Sequence, residues 1–137
     1  VTWLEQLLAW LRSRRNKGPS APLIGTVRYN AMLRLMTIPY TFDGKDQDGV
    51  LGETISGARV WQAGTLVAAA KTTFTPTNPT SGNVVVEVDV PTGTTAFQMA
   101  FLDAQGAEGL KASFTHDVLN KGPSAPVIGA ITSVPKV

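Results

Sequence analysis

The residues of this chain that could do chemistry are few and poorly spaced for it. His116 is the only histidine among 137 residues and cysteine is absent. A multi-histidine metal centre, a thiolate zinc site, a cysteine nucleophile and most histidine-based triads are therefore unavailable. His116 alternates with Phe114 and Val118, which predicts a structural position facing inward or at a sheet end. Asp43, Asp46 and Asp48 gather in the stretch Asp43-Gly44-Lys45-Asp46-Gln47-Asp48-Gly49, where carboxylates on a tight turn could converge on a hard cation. The spacing does not suit an EF-hand. With Asp46 and Asp48 as third and fifth ligands, Gly44 stands first and Ile55 last, where carboxylates are required. A solvated loop built on Asp-Gly turns accounts for the same residues. The glycines of 106–109 do not join a strand to a helix, as a phosphate cradle would need, and no Gly-x-Ser-x-Gly elbow occurs. Glu53 and Asp48 form a carboxylate pair on paper only, because nothing fixes their distance across a cleft. The expectation is a protein that is not an enzyme and holds no cofactor and no metal.

What remains is recognition chemistry. Arg12, Arg14, Arg15 and Lys17 crowd one segment and offer contacts to an anionic surface. The formal charge of +2, from 12 basic and 10 acidic residues, is too balanced for a nucleic-acid footprint. Tyr40 and Phe42, followed by Asp43, Asp46 and Asp48, mark a candidate recognition loop over residues 40–57.

The elements that position these residues can be read from periodicity. Residues 1–17 predict an amphipathic helix: Thr2 and Glu5 form a capping box, and Trp3, Leu4, Leu7, Leu8 and Leu11 fall at the spacing of one apolar face. Trp10 lies beside that face. The three arginines sit where the negative end of the helix dipole favours them, and Gly18-Pro19 supplies the stop. A helix this short is marginal alone in water, so its face calls for a partner. A protein, either a second copy or a host structural protein, suits that face better than a membrane surface, which the basic cluster leaves open as an alternative. The apolar stretch precedes the arginines, the reverse of a secretory signal, and no apolar run approaches the length of a bilayer span.

Beyond the helix the period changes to two. Val84, Val86, Val88 and Val90 share one face against Glu87 and Asp89; Phe97, Met99 and Phe101 share another; Ala112, Phe114, His116 and Val118 a third. Leu33 and Leu35 alternate with Met32, Arg34 and Met36, a strand without a clean polar face. Further strands are expected at 23–27, 58–62 and 66–74, with turns at Asp43-Gly44, Asp48-Gly49, Ala63-Gly64, 76–82, Pro91-Thr92-Gly93 and Gln105-Gly106. About seven short strands with no second long helix predict an all-β fold, an antiparallel β-sandwich preceded by the helix.

One string occurs twice. Asn16-Lys17-Gly18-Pro19-Ser20-Ala21-Pro22-Leu23-Ile24-Gly25-Thr26-Val27 returns 104 residues later as Asn120-Lys121-Gly122-Pro123-Ser124-Ala125-Pro126-Val127-Ile128-Gly129-Ala130-Ile131, identical at nine of twelve positions. That offset is the length of one sandwich domain. The string reads either as a duplicated linker or as the joint between successive domains. It divides the chain into an attachment helix (1–17), a linker (18–22), a sandwich domain (22–119) and a second copy of the linker with a tail (120–137).

Val90-Pro91-Thr92-Gly93-Thr94-Thr95-Ala96-Phe97, followed by 99–102 and Gln105-Gly106-Ala107-Glu108-Gly109, resembles the end of a fibronectin type III domain. In that family a proline-containing corner precedes an aromatic strand, a glycine-rich hairpin and the last strand. The string from Asn120 to Pro126 is similar to the family's interdomain junction. Phe97 stands where the family has a corner tyrosine, and Trp61 on the third strand is nearer the immunoglobulin-like pattern, without its cysteines. The resemblance implies a non-catalytic module. Such domains serve in multidomain surface proteins, as spacers in extracellular bacterial enzymes, and in bacteriophage tails and capsids. The expectation is a virion decoration or fibre-type protein that works as an oligomer or within a larger assembly. The alternatives are a cell-surface adhesion module, binding protein or carbohydrate through the 40–57 loop, and a helix-anchored peripheral membrane protein.

Overall fold

The computed structural model describes residues 2–15 and 17–119, without the side chains of residues 9 and 11–15. The second copy of the repeated string lies outside the described residues. Helix α1 (Trp3–Arg15) leads into β1 (Leu23–Ile24), β2 (Arg28–Asn30), β3 (Leu35–Thr41), β4 (Ile55–Gln62), β5 (Thr65–Leu66), a 3-10 turn at Ala69–Lys71, β6 (Thr72–Asn78), β7 (Ser81–Glu87), β8 (Gly93–Asp103) and β9 (Glu108–Val118). The strands form two antiparallel sheets. One runs β1-β3-β7-β6, with β2 also paired to β3, and the other runs β5-β4-β8-β9. The fold is an all-β sandwich with one N-terminal helix.

The start of α1 follows from its first residues. The Glu5 backbone N–H donates to Thr2 Oγ1 at 3.2 Å and the Thr2 N–H to Glu5 Oε1 at 3.1 Å, a reciprocal cap that satisfies two amides the helix cannot.

The sandwich closes because each sheet turns one apolar face inward. Met36 and Ile38 of β3 pair with Val86 and Val84 of β7, and all four are fully buried. From the other sheet, Val60, Phe97, Met99 and Phe101 complete the same core. Phe101 meets Tyr40 and Phe42 edge-on at 5.0 and 5.3 Å, and Tyr40 stacks on Phe74 at 5.6 Å, arrangements that suit the ring quadrupoles. Gly82 is required where Tyr40 crosses β7, since a Cβ there would stand 2.7 Å from the Tyr40 hydroxyl and 2.5 Å from the Thr75 carbonyl oxygen.

The valine strand and the Phe97/Met99/Phe101 face lie as their alternation predicts. Three readings are corrected. On β3 the inward residues are Met36, Ile38 and Tyr40. Leu33 lies before the strand and is exposed, and Leu35 is on the half-buried side. The run 66–74 is not one strand: β5 ends at Leu66, and the 3-10 turn separates it from β6, which belongs to the opposite sheet. The turn expected from residue 76 begins later, because β6 continues through Pro76 to Asn78. β6 is an edge strand, where a missing proline N–H breaks no ladder.

Pro39 shapes the other edge of that sheet. It pairs with Asn83 of β7 on one side. On the other its carbonyl accepts the Gly25 N–H at 2.8 Å, but its nitrogen has no hydrogen to give. The outer strand is interrupted opposite it, so β1 pairs with residues 40 and 41 and β2 with 35–37 of β3.

Candidate interaction surfaces

Among the described residues, helix α1 does not pack along either sheet. Its described large apolar side chains are partly to largely exposed, Trp3 by 72%, Leu4 by 52%, Leu7 by 38%, Leu8 by 42% and Trp10 by 52%. At about 100° of rotation per residue, positions 10, 3, 7, 11, 4 and 8 cover roughly 160° of the helix circumference, wider than a two-residue coiled-coil seam. Trp10 thus extends the face along the Trp3 side. Leu11, Arg12, Arg14 and Arg15 fall in the last turns of α1, with side chains outside the described set. Lys17, just beyond, pairs with Asp48 at 3.4 Å.

The first copy of the repeated string lies against the body of the domain. The Gly18 carbonyl accepts the Gln47 N–H at 3.1 Å, the Pro19 carbonyl accepts the Leu110 N–H at 3.0 Å, and the Ser20 N–H donates to the Lys45 carbonyl at 2.9 Å. Gly18, Pro19 and Pro22 are buried. Two glycines make this approach feasible. A Cβ on Gly18 would fall 2.3 Å from the Glu108 carbonyl oxygen, and one on Gly109 would fall 2.0 Å from the Pro19 carbonyl oxygen. Backbone meets backbone here, so neither position tolerates a side chain. The result is a cradle, formed by residues 45–47 on one side and 108–110 on the other, that holds the Gly-Pro-Ser segment.

The aspartates of the 43–49 loop build this cradle. Asp43 Oδ1 accepts the Ser20 hydroxyl at 2.6 Å and the Lys45 N–H at 2.9 Å, and the Ser20 hydrogen bond, above all, holds the Asp43 carboxyl below the usual carboxylate range. Asp46 Oδ1 accepts the N–H groups of Asp48 and Val50 at 2.8 and 3.0 Å. These carboxylates stabilise turns, and among the described residues no group of three His, Asp or Glu side chains is arranged to hold a metal ion. The aromatic half of the candidate recognition loop is corrected. Tyr40 and Phe42 are 3% and 2% exposed and belong to the core, because β3 carries its inward alternation to Tyr40 and Phe42 continues it past the strand. They present no aromatic surface to a ligand. Trp61 lies under the Lys111 ammonium, 4.1 Å from the ring centroid.

His116 is half-buried, edge-on to Tyr29 at 6.4 Å between centroids. The groove beside it, between β1 and β9, is lined by Leu23, Ile24, Phe114 and Thr115 among others and by no carboxylate, so His116 has no acid there to orient it.

Two structural residues gave no signal in the sequence. The Tyr29 hydroxyl donates to the Val88 carbonyl at 2.9 Å and accepts the Val90 N–H at 3.1 Å, tying the connection between β7 and β8. Asp103, fully buried, accepts the N–H groups of Gln105 and Ala107 on Oδ1 at 2.9 and 2.8 Å and so closes the β8–β9 hairpin. Burial raises the Glu53 carboxyl above its ordinary value, and the charges of Asp103 and Asp46 add to the effect.

No protein family, curated protein or solved structure matches this chain.

Proposed function

We propose that this chain is a non-catalytic structural module, a rigid sandwich joined to a larger protein assembly through the Trp3, Leu4, Leu7, Leu8 and Leu11 face of α1, in the manner of a virion decoration or fibre protein. The observation that carries the reading is the helix itself: a well-capped element on which Trp3, Leu4, Leu7 and Leu8 are 38–72% exposed while the sandwich has a closed core of its own. Fully burying a side chain of this kind contributes about 1.5–3 kcal/mol, so covering the face supplies several kcal/mol toward association. Protein is the favoured partner over lipid because the basic residues follow the apolar ones along the chain, whereas an interfacial helix spreads its cations along the whole polar face.

The finer family reading draws support from strand order. Lettered in chain order with β2 left out, the sheets read A-B-E-D and C′-C-F-G, and the first of these is the order of an immunoglobulin constant-type sheet. Phe97 lacks the hydroxyl with which a corner tyrosine would tie the connection before its own strand, and Tyr29 supplies an equivalent tie from β2. The assignment to a virion rests on the family resemblance.

The test is sedimentation of the full chain beside a Leu4→Glu/Leu7→Glu/Leu8→Glu variant. The expected outcome is concentration-dependent association of the native chain that the variant loses, with the sandwich still folded by circular dichroism. Equal masses for the two proteins, or flotation of the native chain with anionic vesicles, would sink the reading.

A further inference from the structure

Among the described residues, the outer edge of β9 is the longest strand border that nothing blunts. β1, β2 and β5 are only two or three residues long, and β6 carries Pro76 followed by an irregularity in its pairing. β9 has 11 residues, no proline, and an unbroken register against β8 from Lys111 to Val118. Such a border is a template for a further strand, and proteins commonly disarm it where no strand is to be added.

Which backbone groups it offers follows from a hydrogen bond on the far side of β8. The Ala63 N–H donates to the Ala96 carbonyl at 2.8 Å, so Ala96 turns its backbone toward β4. Ala96 stands opposite Thr115 in the β8–β9 ladder, and the two members of an antiparallel pair turn either toward each other or both away. Thr115 therefore directs its N–H and C=O outward, and by alternation so do Lys111, Ser113 and Asp117. Among the described residues these groups meet no backbone partner. The border is taken up at Leu110, by Pro19, and open from Lys111 onward.

The side chains along this border are arranged symmetrically about Phe114. Lys111 and Asp117 lie three residues to either side of it, and Ser113 and Thr115 one residue. We infer that β9 pairs antiparallel with β9 of a second copy across a twofold axis at Phe114, so that two sandwiches share one continuous sheet. In this register Lys111 stands opposite Asp117 of the second copy, Ser113 opposite Thr115, and Phe114 opposite its own counterpart. The paired residues 111 with 117 and 113 with 115 are the ones whose backbone groups face outward, so one alignment satisfies both the main chain and the charges. Moving the axis to Ser113 or Thr115 keeps the main-chain bonds but leaves both charges without an opposite.

The charged groups are already held on the exposed face of the sheet. The Lys111 ammonium lies over the Trp61 ring, 4.1 Å from its centroid, and Asp117 accepts the Thr94 hydroxyl. On the inner face Phe114 stacks on Phe97 with 5.3 Å between centroids and borders the groove that Leu23 and Ile24 line. Directly opposed side chains stand about 4.5–5.5 Å apart at Cβ, which brings the second Phe114 beside the first. The contact is isologous and closes as a dimer, because β5, at the far edge of the same sheet, is too short to carry it on. It goes beyond helix-borne attachment and uses none of the α1 face.

The test is sedimentation equilibrium of the full chain carrying Leu4→Glu/Leu7→Glu/Leu8→Glu, which removes association through the helix. The expected result is a dimer. Lys111→Glu and Asp117→Lys, added singly, each set like charges opposite each other twice and weaken the dimer about tenfold; added together they restore it. Thr115→Pro removes an outward N–H that the β8 ladder does not use and weakens the dimer at least as much. Should the proline variant fail to fold by circular dichroism, the charge exchange alone decides. A monomeric helix variant, a dimer indifferent to Lys111→Glu, or a double exchange that does not restore pairing would overturn the inference. The two readings fail separately: a monomeric helix variant beside an associating native chain removes the β9 dimer only, whereas equal dimers of both chains remove the helix reading only.

Discussion

The Pro19 carbonyl accepts the Leu110 N–H at 3.0 Å, so a residue before the first strand hydrogen-bonds to the last strand of the opposite sheet. This single contact links the helix-proximal segment to the hairpin that Asp103 closes. It makes the stability of the sandwich sensitive to residues that would otherwise count as a tether.

Gly109→Ala introduces a methyl 2.0 Å from the Pro19 carbonyl oxygen. Neither backbone can yield cheaply, and the expected loss is about 1–3 kcal/mol. Gly57→Ala is the control, because its Cβ would meet only Leu102 Cδ1 at an ordinary 3.6 Å and is expected to change stability by less than about 0.5 kcal/mol. Urea unfolding of the two variants checks the contrast.

Tyr29→Phe keeps the ring and removes the hydroxyl shared between the Val88 carbonyl and the Val90 N–H. Two part-buried backbone groups lose their partner, for an expected cost of roughly 1–2 kcal/mol. Faster hydrogen exchange at the Val90 amide, with the core amides of β7 unchanged, marks the loss as local.

Asp103→Ala removes the acceptor for two hairpin N–H groups and is expected to cost about 2 kcal/mol or more. Asp103→Asn keeps an oxygen in the Oδ1 position and loses less. Thermal unfolding of both variants at neutral pH orders them.

Acid affects two carboxylates in opposite senses. The Asp43 pKa in the fold lies below its ordinary 3.8, so its contribution is present above that value and lost as pH falls through the lower folded value. Ser20→Ala therefore flattens the loss of stability in acid below about pH 5. The Glu53 pKa is raised above 4.5, so the fold disfavours its charge. Glu53→Gln stabilises the protein at pH 7, and the gain disappears as pH drops through the raised value toward 4.5. Unfolding midpoints measured from pH 2 to 8 give both slopes.

Much of the scaffold was legible because its signals are local. Thr2 and Glu5 announce the start of α1, and the alternation of Val84 and Val86, or of Phe97, Met99 and Phe101, identifies inward faces without knowledge of the partner strand. β3 was harder. Apolar residues occupy both of its faces, so only contact with Val84 and Val86 decides that Met36, Ile38 and Tyr40 point in. Tyr40 and Phe42 carry a loop signal in the sequence because the aspartates that follow are so plainly loop residues, while the strand's inward alternation runs to the edge of that loop. The cradle itself was invisible. That Gly18 faces Glu108, or Gly109 faces Pro19, is a relationship across about 90 residues, and nothing in glycine's neighbours along the chain encodes it.

The interruption opposite Pro39 has a consequence for crowding. An unbroken outer strand offers a row of unpaired donors and acceptors on which a neighbouring chain can extend the sheet. With β1 and β2 separated and only two and three residues long, that border presents no continuous template. Copies held side by side at high density are therefore protected at this edge against merging into a common fibre.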